Sequence, residues 1–235
     1  MIDKTRIFQF SETSILIEFD DNIDEKLLNF LTSLRKELIQ TNNEQILQVN
    51  NTYNSLLITY VSTINNFYRE KERILKQISE HKAGDELNST IKKIPICYDT
   101  EFGWDLELLS DDLKLSVSEI IERHSGVIYT VYFIGFLPGF PYLGGLDSSL
   151  FHRRKSQPRR QIPMGSVGIA DKQTGIYPMD SPGGWQIIGR SPLQLFDPGH
   201  NDQPCYLKAG DKIQFESITI KEFKRIQSSP KSNSW

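Results

Sequence analysis

The sequence predicts a small α+β domain followed by a mainly-β domain, and three observations carry that reading. Over residues 6–81 the apolar period switches from two to about three and a half and back, giving strand, strand, helix, strand, strand, helix. Residues 82–90, KAGDELNST, are polar and without apolar periodicity, which marks a domain boundary. In the second half, short apolar runs are cut by Gly- and Pro-rich turns, the pattern of an all-β barrel or sandwich. The domains are therefore set at 1–84 and 91–225, with 226–235 as a disordered tail.

Each element has its own justification. RIFQF and SILIEF read as strands, with Ile15, Ile17 and Phe19 alternating along the second. Residues 23–39 place Leu27, Leu31, Leu34 and Leu38 on one helical stripe. Residues 45–49 and 55–61 return to strand, and 65–81 to helix around Phe67, Ile74, Leu75 and Ile78. IKKIPICYD is a strand whose Pro95 favours an edge or a bulge. Two short helices follow, over 105–109 and 116–124. Ser116 and Glu119 have capping-box spacing, and Gly126 suits the C-terminal cap. VIYTVYFIGF, 127–136, is the strongest strand. SVGIA, GIYPM, GWQIIG, LQLF and KIQFESITI then read as short strands separated by turns.

Bulk properties exclude several classes. A formal net charge of −3 argues against a dedicated nucleic-acid binder, with the basic run at 153–160 a local exception. No apolar run reaches membrane-spanning length and the N-terminus lacks a signal-peptide core, so a cytoplasmic location is expected. Cys97 and Cys205 stand far apart and read as reduced and structural. There is no GxxxxGK[ST], HExxH, paired CxxC or GxSxG, and the four histidines have no metal-site spacing. No metal or bound cofactor is expected.

The chemistry concentrates between Gly135 and Arg190. Glycine, proline, aromatic and arginine residues crowd there as nowhere else, so the backbone is shaped into loops that carry aromatics and cations. Such loops suit a cleft for a polar, anionic ligand. GFLPGFPYLGGLD (135–147), PRRQIPMGSVGIA (158–170), QTGIYPMDSPGGWQIIGRSPLQLFDP (173–198) and AGDKIQF (209–215) together closely resemble the PxpB / KipI family. That family includes the B subunit of 5-oxoprolinase (PxpB), the sporulation-kinase inhibitor KipI and allophanate hydrolase subunit 1. His124, ahead of the VIYTVYFIGF strand, also falls where the family pattern has a histidine. The resemblance spans nearly the whole chain. It implies a cyclophilin-like β-barrel for the second domain, without prolyl isomerase activity. It implies work beside the KipA-type C subunit and the A subunit of 5-oxoprolinase in opening 5-oxo-L-proline to L-glutamate, with ATP held on a partner chain. Its alternatives are inhibition of a histidine kinase and, more weakly, a part in urea or allophanate carboxylation.

The candidate residues each carry two readings. Arg154, Arg159 and Arg160 either clamp a carboxylate through their planar forks or form a solvated basic loop or a patch for an acidic partner. His124 is either a general acid or base or a helix-terminal histidine bonded to the last carbonyls. Tyr177 and Trp185 form an aromatic wall or pack the core. Gln173 joins the substrate-binding set, although turn chemistry alone explains it. Phe136, Phe140 and Tyr142 are expected to face a partner, as aromatic anchors of a Pro-Gly loop.

Overall fold

The computed structural model describes residues 5–42, 44–82, 90–200 and 203–229. The chain divides into two compact units, Met1–Asn88 and Ser89–Trp235. Of the expected boundary segment, residues 83–89 lie outside the described residues.

The first unit runs β1 (Thr5–Ser11), β2 (Ser14–Phe19), α1 (Glu25–Thr41), β3 (Ile46–Asn51), β4 (Ser55–Tyr60) and α2 (Phe67–Glu80). Its strands form an antiparallel sheet in the order β1-β2-β4-β3. The alternation of β2 puts Ile15, Ile17 and Phe19 in the core. There they meet the leucine stripe of α1 and Ile74 and Ile78 of α2. The Asp24 carboxylate accepts the Leu27 N–H at 2.8 Å and so caps α1.

The second unit is a mixed α/β fold. It runs β5 (Ile91–Ile96), α3 (Leu106–Leu113), α4 (Val117–Ser125), β6 (Ile128–Ile134), β7 (Pro141–Gly144), β8 (Arg159–Ile162), β9 (Ser166–Ala170), β10 (Gln173–Ile176), β11 (Ser181–Gly183), β12 (Gln186–Arg190), β13 (Lys212–Ser217) and α5 (Ile220–Gln227). Seven strands form one sheet in the order β12-β9-β10-β7-β6-β13-β5, while β8 and β11 pair separately. The sheet curls until its two outermost strands meet. Cys97 and Arg190 exchange backbone hydrogen bonds of 2.9 and 3.0 Å, joining the end of β5 to the end of β12. Inside the curl lie Ile96, Val131, Leu143, Val167, Ile169, Ile188 and Ile213, all buried. β5 and β13 run parallel, from Ile91 opposite Lys212 to Ile96 opposite Ser217. Pro95 thus sits in an outermost strand, where its missing N–H removes no ladder bond from a central position.

Several boundaries differ from expectation. α3 extends to Leu113 and stops where Lys114 turns left-handed at φ 56°. The Ser116–Glu119 capping box of α4 forms in both directions. GIYPM loses its last residues from the strand, because Pro178 cannot donate to a ladder. LQLF is not a strand; it is hemmed by Pro192 and Pro198 and contributes one isolated bridge, Phe196 to Cys205. KIQFESITI is strand only to Ser217. Thr219 and Glu222 then make a second reciprocal capping box and start α5, which buries Phe223. The expected tail therefore begins inside a helix: residues 226 and 227 belong to α5, and 230–235 lie outside the described residues.

Candidate functional site

The Gly135–Arg190 loops converge on one cleft in the second unit. It measures about 400 Å³ and is lined by Phe136, Leu137, Phe140, Tyr142, Arg154, Lys155, Pro158, Tyr177, Ser181–Gly184 and Trp185. β7 presents Tyr142 from one side, and the turn after β11 presents Gly184 and Trp185 from another. Gly183 is required by close approach: a Cβ there would collide with the Tyr177 hydroxyl and fall 2.6 Å from Ile162 Cδ1.

The floor is aromatic. Phe140 meets Tyr177 and Trp185 edge to face, with centroids 5.2 and 5.3 Å apart. Phe133 stacks on Tyr142 at 4.3 Å. Burial pushes the Tyr177 phenol up to about 12, so it stays protonated at neutral pH. Burial also raises Tyr142, against the opposing charge of Arg154. Phe136 stands apart from the others. It is 63% exposed and holds a positive φ of 66°, a conformation that bulky residues rarely adopt. Its turn is closed by Gly135 N–H to the Phe140 carbonyl at 3.1 Å and Phe140 N–H to the Leu137 carbonyl at 3.0 Å.

Cations edge the cleft. Arg154 lies over the Trp185 ring, 5.9 Å from its centroid, and its Nε donates to Asp171 Oδ2 at 3.2 Å. Beneath the rim is an ion cluster around Asp105, which is 3% exposed by its side chain. Arg159 donates to both Asp105 oxygens, at 2.8 and 2.7 Å. Lys155 Nζ donates to Oδ1 at 2.9 Å, and Ile187 N–H to Oδ2 at 2.7 Å. Burial opposes ionisation of Asp105, but the hydrogen bonds from Arg159, Lys155 and Ile187 outweigh it and hold the carboxyl below its ordinary range.

The cleft thus brings together Arg154, Tyr177, Trp185, Phe136, Phe140 and Tyr142. Its lining does not include Arg159, Arg160, Gln173 or His124. Arg159 is a structural cation locked onto Asp105 and stacked beside Trp104, 5.3 Å from its centroid. Arg160 is exposed on β8. Gln173 starts β10, its Oε1 buried without a hydrogen-bond partner. Phe140 is 1% exposed, so it packs the cleft floor instead of forming the exposed anchor expected of it; Phe136 is exposed.

His124 lies in the core, fully buried on α4, and is not open to substrate. Tyr98 Oη lies 2.7 Å from Nδ1, and Nε2 lies 2.9 Å from Thr174 Oγ1. Thr174 Oγ1 donates onward to the Gly168 carbonyl at 3.0 Å, so its oxygen accepts from His124 Nε2–H. Nδ1 is then the acceptor for Tyr98. The ring stacks on Phe215 at 4.6 Å. Burial lowers the imidazole to about 3, so it is neutral at physiological pH. A helix-terminal position suggests either chemistry or capping; the side chain does neither, and links α4 to β10.

Lys155, Asp105 and Ser181 escaped the sequence reading. Lys155 sat in plain view between the arginines of HRRKSQPRR. Asp105 carried no signal beyond a helix start, since its partners lie about fifty residues away along the chain. Among the described residues no cluster of His, Cys, Asp and Glu is placed to hold a metal. Both thiols, Cys97 and Cys205, are free.

Comparison with known proteins places this architecture. Residues 5–207 match the model of the carboxyltransferase domain, subdomain C and D. The 5-oxoprolinase B subunit of Bacillus subtilis (strain 168) is 36% identical over 236 residues, covering 95% of this chain and 97% of that protein. The chain belongs to the 5-oxoprolinase B-subunit family. The crystal structure of TTHA0988 superposes with a TM-score of 0.74 at 29% identity; the match covers 87% of this chain but 40% of that one. Urea carboxylase of Kluyveromyces lactis shares the fold at a TM-score of 0.80 and 19% identity, over 98% of this chain and 23% of that protein. No helix of the described residues is long and apolar enough to cross a membrane.

Proposed function

We propose that this chain is the B subunit of a 5-oxoprolinase complex, acting with the A and C subunits in the ATP-dependent opening of 5-oxo-L-proline to L-glutamate. The carrying observation is family membership along nearly the full length of the chain, joined to a cleft of matching chemistry. A five-membered lactam ring is thin enough to enter this aromatic-floored cleft, with its carboxylate toward the cationic side of the lining. Ser181 lines the cleft with its Oγ buried and without a hydrogen-bond partner among the described residues, and we read this chain as binding and orienting the lactam, with ATP held on a partner chain. We take the curled seven-stranded sheet as the cyclophilin-like barrel implied by the sequence resemblance, and the location as cytoplasmic.

Phe136 is the proposed contact for the C subunit. An exposed aromatic in a strained turn at a cleft mouth is a natural anchor for a neighbouring chain. Deleting the coding sequence tests the assignment. The expected result is accumulation of 5-oxoproline and loss of growth on it as a nitrogen source. Unchanged 5-oxoproline in the deletion strain rejects the reading.

A further inference from the structure

The two cations at the cleft are not equivalent. Arg154 pairs with Asp171 at the surface, where the two side chains are 55% and 57% exposed. Its charge is matched and solvated there, and such a pair contributes little. Lys155 is held differently. Its backbone N–H donates to the Gly184 carbonyl at 2.7 Å, which fixes its Cα against the turn that forms one wall of the cleft. Its side chain is 23% exposed, and its Nζ is steered by Asp105 Oδ1 at 2.9 Å and Gln186 Oε1 at 3.2 Å.

Charge accounting around Asp105 leaves a surplus. The carboxylate is already engaged by both nitrogens of the Arg159 fork and by the Ile187 amide. One negative charge therefore faces two positive ones, and the uncompensated cation is the one lining the cleft. An ammonium has three donors, and Asp105 and Gln186 occupy two of them. Among the described residues no acidic side chain lines the cleft to claim the third.

We propose that Lys155 binds the anionic oxygen of the cleft's ligand, a small flat-ringed carboxylate, and that Arg154 does not. The identity of that carboxylate as 5-oxo-L-proline rests on the function proposed above; the role of Lys155 does not.

Calorimetric titration of the full chain, assembled with its partner chains, tests it. The probes are 5-oxo-L-proline, its carboxylate-free analogue 2-pyrrolidinone, and benzoate. Lys155→Met is expected to weaken 5-oxo-L-proline about ten-fold or more, as loss of a charge-assisted hydrogen bond should. The same variant leaves 2-pyrrolidinone unchanged, and Arg154→Ala alters neither ligand by more than about three-fold. Lys155→Gln keeps donors for Asp105 without the charge, and answers the same question should the methionine variant misfold. Equal weakening of the charged and neutral lactams would overturn the proposal, since shape and not charge was lost. So would an unchanged affinity for 5-oxo-L-proline. If wild-type protein takes up benzoate through Lys155 but ignores 5-oxo-L-proline, the anion site stands and the substrate assignment falls. If it binds neither anion, the proposal falls as well.

Discussion

Replacing His124 by Gln should flatten the acid dependence of stability by an amount that the structure sets. In the folded chain the imidazole is neutral, sealed between Tyr98, Thr174 and Phe215, and lowered to about 3 by burial. Protonation would force Nδ1 to donate toward a hydroxyl that is itself donating to it. In the unfolded chain the same ring binds a proton at its ordinary value of about 6.5. Below that value the unfolded state holds a proton that the folded state refuses, so stability is complete above it and drains away as pH falls toward the folded value. Between about pH 7 and pH 5 the loss from this one group is about 2 kcal/mol. For a chain of this size, that corresponds to a fall of about 4–8 °C in the melting temperature. The assay is thermal or urea unfolding of wild type and His124→Gln at matched pH values, with the difference between their slopes as the readout. The rest of the chain is common to both proteins, so its contribution cancels in the difference. Gln lowers stability at neutral pH, because ring packing on Phe215 is lost, but its curve should descend less steeply by that amount. Parallel curves would show that His124 is already charged, or open to water, in the folded protein, and would refute the reasoning.

Further expectations follow from other packing and capping features. Asp105→Asn should cost about 3 kcal/mol in urea unfolding at neutral pH, because it strands Arg159 and Lys155 against a neutral group. The wild-type contribution of Asp105 is present above its ordinary value of about 4 and lost as pH falls through the lower folded value, so the two proteins should converge in acid. Gly165→Ala should cost about 2 kcal/mol or more, since Gly165 has a φ of +84° and a Cβ would strike the Ser191 carbonyl; a melting curve suffices. Thr219→Ala removes one half of the α5 capping box and should cost about 1 kcal/mol, seen as faster amide exchange confined to that helix.

What the sequence disclosed depended on the range of the forces involved. The first unit was legible almost strand for strand. Its alternation in SILIEF and its leucine stripe each report a single buried face, and each is local. The second unit was legible in class but not in boundaries. α5 is hidden because Ile218 and Ile220 alternate like a strand, although out of phase with Ile213 and Phe215, while the Thr219–Glu222 box that redirects the chain begins inside that run and closes beyond it. β7 was hidden because its residues read as loop; its strand character comes from β6 and β10 on either side. At the cleft, the aromatics and Arg154 could be named in advance because loop composition announces them. Arg159 could not be told from Arg154. What separates them is a carboxylate more than fifty positions earlier, brought near by the Asp105–Ile187 contact.

The pairing of β5 with β13 also constrains biosynthesis. Ile91 waits for Lys212 before its ladder can form, and Cys97 waits for Arg190. A nascent chain emerging from the ribosome therefore carries β5 without its parallel neighbour until residues 212–217 have emerged, and contacts of such long sequence separation form slowly. Stalling or truncation shortly before residue 212 would release a polypeptide with the loops of the cleft already made and the seam of the sheet still open.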